Sequence, residues 1–255
     1  MSSLMNLTLY NFRKFLRTRI LYGIFFIALL FIYLISSLNA FGIGSHPFIS
    51  IESVLFLYEV LGLALILAVS AYNIRRDIEN RTIYLILSKP VTKVEYILGK
   101  IFSCAVYLLI FTLITIAGAL IMLRSGIKSY EGMLVLAIIM KFLYLFIILG
   151  LSIFFSVFLR PTILVAVISL CYFISGIDND YIELIVAQNY PGPVLFLLKL
   201  IKFVLPNKDY LDISYAVMQG AKLHFAYFIA VFFYIAGYSV FTLLLSAWAF
   251  KEKEF

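Results

Sequence analysis

The sequence predicts an all-α membrane protein with six transmembrane helices. An N-terminal interfacial amphipathic helix precedes the first span, a cytoplasmic helical segment joins the second and third, and a re-entrant outer helix pair precedes the last. Two observations carry this prediction. Hydrophobic residues make up 64% of the chain and charged residues 13%, with a mean hydropathy of +1.09, whereas a soluble domain holds roughly 45–50% apolar and about 25% charged residues. In addition, the apolar residues fall in six runs near the roughly 20 residues that a helix needs to cross a bilayer core of about 30 Å.

The runs are Ile20 to Phe41, Val54 to Tyr72, Ile101 to Leu123, Met133 to Leu159, Pro161 to Ile177 and Leu223 to Phe250. Each is expected to be a helix, because hydrocarbon offers a backbone no other partner than itself. The fifth run is short and is parted from the fourth only by Arg160 and Pro161. A tight turn is expected there, since proline suits the first turn of a helix. Ahead of the first run, residues 4–19 place Leu9, Phe12, Phe15 and Leu16 near one helical face, with Arg13, Lys14 and Arg17 displaced from it. That pattern describes a helix lying in the cytoplasmic interface. The first run is too long for a secretory signal, and Leu38 spoils a cleavage site before Phe41.

The formal charge of +7 raises nucleic acid as a partner, but the basic residues gather beside apolar runs, where anionic lipid and the positive-inside rule put them. With the N-terminus inside, thirteen Lys and Arg residues fall in cytoplasmic segments and six in outer ones. Both termini are therefore expected in the cytoplasm, with Trp248 in an aromatic belt. The expected setting is the inner (plasma) membrane, with membrane lipid as a partner and no nucleic acid.

Residues 73–100 are the most informative stretch. Ile74, Ile78, Thr82 and Leu85 share a helical face, while Arg75 with Glu79 and Asp77 with Arg81 are spaced as i,i+4 pairs on its wetter side. Pro90 disfavours helix at Lys89, so the first helical piece should end near Ser88. Thr92 followed by Glu95 makes a capping box, with Val91 and Tyr96 as its hydrophobic staple, and a second helix starts there. A helix, a proline elbow and a capped helix form a lever.

Here the sequence resembles the membrane subunits of type 2 ATP-binding-cassette transporters, permeases similar to the nitrous-oxide-reductase maturation permease. The resemblance rests on Asp77, Glu79, Thr82, Leu87, Ser88, Lys89, Pro90, Glu95, Gly99 and Lys100, and departs at Arg81, where the family often has Gly. The six-run layout and the FVLPN run at Phe203 to Asn207 extend it over nearly the whole length, so residues 1–255 are expected to form one permease domain. The resemblance implies that Arg75 through Lys93 dock on an ABC ATPase subunit, with Arg75, Arg76, Asp77, Glu79, Arg81, Thr82, Ser88, Lys89, Pro90 and Lys93 as the coupling residues. It also implies a second permease subunit, in a homodimer or heterodimer, and export as the direction of transport.

The chain lacks a phosphate-cradling GxxxxGK[ST] loop, because Gly99 and Lys100 are followed by Ile101. ATP and Mg²⁺ are accordingly expected on the partner chain, with no cofactor or metal on this one. His46 and His224 have no Cys or carboxylate at ligand spacing, and no nucleophile, base and orienter set suggests an enzyme. Glu59 and Lys141 sit inside apolar runs and form a possible intramembrane pair. The reading favoured for Lys141 is the alternative, a fourth span that begins near Ile138 and lets this residue snorkel to the interface. Residues 178–222 are long for an outer loop, and the apolar stretch from Pro193 to Leu205 is too short to span. By resemblance this segment is expected to cover the outer mouth, with Lys199, Lys202 and Pro206 in the gate. A stand-alone secondary transporter is the competing reading; it calls for broken helices or paired ionisable residues at midplane.

Overall fold

The computed structural model describes residues 2–16, 19–40, 47–79, 92–122, 131–176, 205–208, 210–213 and 224–252. Within them lie seven helices and no strand: α1 Ser2–Leu16, α2 Arg19–Ala40, α3 Pro47–Glu79, α4 Lys93–Met122, α5 Glu131–Phe158, α6 Pro161–Ser175 and α7 Phe225–Glu252. Five of them, α2, α3, α4, α5 and α7, are long and apolar enough to cross a membrane. Five of the six expected spans are thus helices of full length, and the remaining one, α6, is an apolar helix of 15 residues that reaches about 22 Å at the α-helical rise.

The turn before α6 forms as expected. Arg160 is extended, with φ −70° and ψ 152°, Pro161 opens the helix, and the Leu164 N–H donates to the Arg160 carbonyl at 2.8 Å. Proline cannot donate there, so the first turn leaves no orphan on its account.

α5 is the central helix, with 67% of its span buried, against 22% for α2 and 17% for α7. It runs parallel to α3 in fixed register: Lys141 meets Glu59 and Ser152 meets Ser70, both pairs 82 residues apart in sequence. The serine pair lies three helical turns beyond the ionic one, about 16 Å along both axes. Gly62 and Gly150 allow these helices to approach their neighbours. A Cβ on Gly62 would stand 2.5 Å from a methyl of Leu145, and one on Gly150 would stand 2.6 Å from Thr242 Oγ1 on α7.

α1 does not lie with Leu9 and Leu16 against the protein; both are exposed, as are Met5 and Tyr10. Its packed side carries Leu7, which would touch a Cβ on Gly99 at 3.2 Å, buried Asn11 and Phe12, stacked on Tyr107 with ring centroids 4.8 Å apart. Leu9 and Leu16, on the apolar face expected to meet the membrane interface, thus stay off the protein, while Phe12 of the same face packs on α4. What attracts α1 is the close approach that Gly99 permits, together with an aromatic partner on α4.

Most of the expected outer helix pair, up to residue 204, lies outside the described residues. The described residues 205–208 and 210–213 are bends, turn and irregular chain rather than helix.

Candidate functional site: two carboxylate clusters on one helix

α3 carries two buried carboxylates. Asp77, near its C-terminal end, accepts from Lys14 Nζ and Lys100 Nζ, each at 2.6 Å, and from the Tyr96 hydroxyl at 2.8 Å. Asp77 is 2% exposed and Lys100 1%. Local structure explains the convergence. Thr92 and Glu95 form the capping box, with the Thr92 N–H donating to Glu95 Oε2 at 2.9 Å and the Glu95 N–H to Thr92 Oγ1 at 3.2 Å. This cap fixes the start of α4, and Tyr96 and Lys100, at i and i+4 on one face, then lean toward the helix N-terminus and reach the end of α3. Burial alone would raise the Asp77 carboxyl, but Lys100 and then Lys14 outweigh it and hold the group below the ordinary aspartate range.

This arrangement corrects the expectation that Asp77 lies on a wet face; its expected pairing with Arg81 lies outside the described residues. Its carboxylate is enclosed by three elements of the chain itself. Arg75, Arg76 and Glu79 sit on the last turns of α3 and Lys93 opens α4, but their side chains lie outside the described residues, as do Arg81, Thr82, Ser88, Lys89 and Pro90.

The second carboxylate, Glu59, is in the middle of the apolar part of α3. It takes Lys141 Nζ in a close ion pair on one oxygen. Its other oxygen accepts from Lys208 Nζ at 2.8 Å and from the Tyr172 hydroxyl at 2.6 Å. Lys141 also reaches Asp212 at 3.1 Å. The snorkelling reading of Lys141 is overturned, because α5 begins at Glu131 rather than near Ile138 and Lys141 is 6% exposed. Next to the ions, Tyr144 and Ser175 share a close hydrogen bond, and Tyr58 and Thr112 one of 2.7 Å.

Lys208 and Asp212 belong to the chain between α6 and α7, and that chain is secured on two sides. The Lys208 N–H donates to the Ser175 carbonyl at 3.3 Å. From α7, the Tyr234 hydroxyl accepts from the Asn207 N–H at 2.6 Å, and Tyr227 donates to the Tyr210 carbonyl at 2.7 Å. Pro206 is buried beside this turn, whereas Lys199 and Lys202 lie outside the described residues.

The sequence reading did not find Lys14, Lys100, Tyr96, Tyr172, Lys208 or Asp212 as partners. One signal was available in Gly99–Lys100, a residue that admits another helix followed by a charge entering an apolar run. Nothing in the spacing announces Lys208 and Asp212, whose loop returns over a distance no local pattern encodes.

The fold and its two ion clusters define a multi-pass helical membrane protein in which two buried carboxylates join separate elements of the chain. Residues 9–176 match the family model described as ABC-2 family transporter protein. The chain belongs to that family, and it is a membrane transport component. No curated protein matches it.

Proposed function

We propose that this chain is the permease subunit of an ATP-driven exporter, working with a separate ABC ATPase that holds ATP and Mg²⁺, and with a second permease subunit. In this reading it resides in the inner membrane with both termini in the cytoplasm, all six apolar helices cross, and Arg75 through Lys93 couple to the ATPase. Lys199, Lys202 and Pro206 belong to the outer gate. The observation that carries the reading is the family match taken with the Asp77 cluster. The two arms that flank residues 80–91 are tied to each other and to α1 by Lys14, Tyr96 and Lys100. A displacement imposed on the segment is thus delivered to three helices at once, which a coupling element requires.

The test is co-purification of the tagged chain from its native membrane, with ATPase assay, for wild type, Glu79→Arg and Pro90→Ala. An ATPase that accompanies the wild type and is lost or uncoupled in the variants supports the reading. A chain that transports alone, with no ATPase bound, favours the secondary transporter, for which the buried ion pairs around Glu59 are the specific observation.

A further inference from the structure

A charge inside a membrane span is costly and is retained for a reason, and apolar residues at Glu59 and Lys141 would hold α3 to α5 at less cost. The groups that complete this cluster suggest the reason. Lys208 presents a primary ammonium to the Glu59 carboxylate at 2.8 Å and to the face of Tyr172, 5.3 Å from the ring centroid. Asp212, one turn further along the same segment, presents an anion to Lys141 at 3.1 Å. An ammonium and an anion on one short scaffold are the two ends of a zwitterion.

We propose that Glu59, Tyr172 and Lys141 form a recognition site for a zwitterion bearing a primary ammonium and an anionic group, with Lys208 and Asp212 as the intramolecular stand-ins that close it. The inference rests on the permease reading and gives it a substrate class. Carboxylate and aromatic face together select an ammonium, and Lys141 selects the anion.

Exposure supports the exchange. The Glu59 and Lys141 side chains are 6% and 8% exposed, while those of Lys208 and Asp212 are 20% and 31% exposed. The stand-ins are the less enclosed halves of their pairs, so they can leave at less cost than the residues they cover. Charge balance supports it too. Withdrawal of the stand-ins leaves Glu59 paired with Lys141 and removes one positive and one negative group together, so no single charge is stranded in the span. Two sources fit this chemistry, an aminophospholipid headgroup and a water-soluble amino-acid or peptide zwitterion.

The experiment is native mass spectrometry of the purified full-length chain titrated with phosphatidylethanolamine, phosphatidylglycerol or glycylglycine. Wild type should favour one of the two zwitterions over phosphatidylglycerol. Lys208→Met should bind that zwitterion roughly tenfold more tightly, since it removes the occupant of the ammonium half of the site and the part of the closed-state penalty that goes with it. The double variant Glu59→Gln/Lys141→Met, which keeps the four-residue cluster neutral, should lose the preference. A gain for phosphatidylethanolamine assigns a lipid headgroup, and a gain for glycylglycine assigns a soluble solute. The proposal is overturned if Lys208→Met gains nothing, if phosphatidylglycerol gains instead, or if the double variant keeps its preference. ATPase co-purification with the same variants separates the two readings: bound ATPase without zwitterion selectivity removes this inference and leaves the permease assignment standing.

Discussion

Asp77 and Glu59 stand on one helix, about 27 Å apart along its axis, and each is met by two lysines and a tyrosine hydroxyl. Their chemistry is nearly the same; their mechanics are opposite. Among the described residues every group on Asp77 comes from a helix, and of its two lysines Lys100 is sealed from solvent while Lys14 is 30% exposed. Half of the groups around Glu59 come from a turn that is itself held by neutral hydrogen bonds, and those groups are the exposed ones. Among the described residues the Asp77 cluster holds one carboxylate and two lysines, while Asp212 balances the second lysine of the Glu59 cluster. The comparison teaches that one arrangement of a carboxylate, two lysines and a tyrosine serves as a fixed joint or as a releasable one, depending on what carries the cations.

The largest expected effect is at the fixed joint. Asp77→Ala leaves Lys100 buried without its counter-ion and should cost about 3–5 kcal/mol, read as a large drop in melting temperature in detergent and as new protease cleavage in α1. Asp77→Leu with Lys100→Met should recover most of that loss. Equal damage in the single and double variants would mean that packing around α1, rather than the ion pair, holds the joint.

Glu59→Gln should cost less, roughly 1–3 kcal/mol, because Asp212 still faces Lys141 and the Gln amide can still meet Tyr172. A Glu59 variant as damaging as Asp77→Ala would break the distinction between fixed and releasable joints.

Acid sharpens the same comparison with a smaller effect. The Asp77 carboxyl is held below its ordinary range, so its stabilisation is fully present above the unfolded value of about 3.9 and is lost as pH falls through the folded one. Melting temperature should therefore decline on acidification below about pH 4, and Asp77→Asn should flatten that part of the curve. An unchanged slope in the variant would assign the acid sensitivity elsewhere.

The sequence disclosed the bundle and its order well, because a hydrocarbon solvent demands long apolar helices and tolerates little else. The Pro161 turn and the Thr92 cap were legible for the same kind of reason, being local chemistry written within four residues. The clusters were not. Asp77 was assigned to Arg81 by spacing, yet Lys14 and Lys100 reach it from other helices, and pairings across 63 and 23 residues leave no periodic trace. Glu59 and Lys141 were legible as a possible intramembrane pair, and the two do meet; what the sequence left open was the choice between pairing and snorkelling, which depends on where α5 begins.

The smallest effect tests whether that local chemistry serves the joint. Thr92 is exposed; its hydroxyl and Glu95 hold the first turn of α4, and its carbonyl accepts from the Tyr96 N–H at 3.1 Å. Thr92→Ala should cost about 1 kcal/mol. If the cap acts by fixing where Tyr96 and Lys100 begin, the loss should be non-additive with Asp77→Asn and additive with Glu59→Gln, since coupled sites share partners and distant ones do not. Additivity with both would reduce the cap to helix stability alone and would leave Gly99, through its contact with Leu7, as the feature that sets the register of α4 against α1.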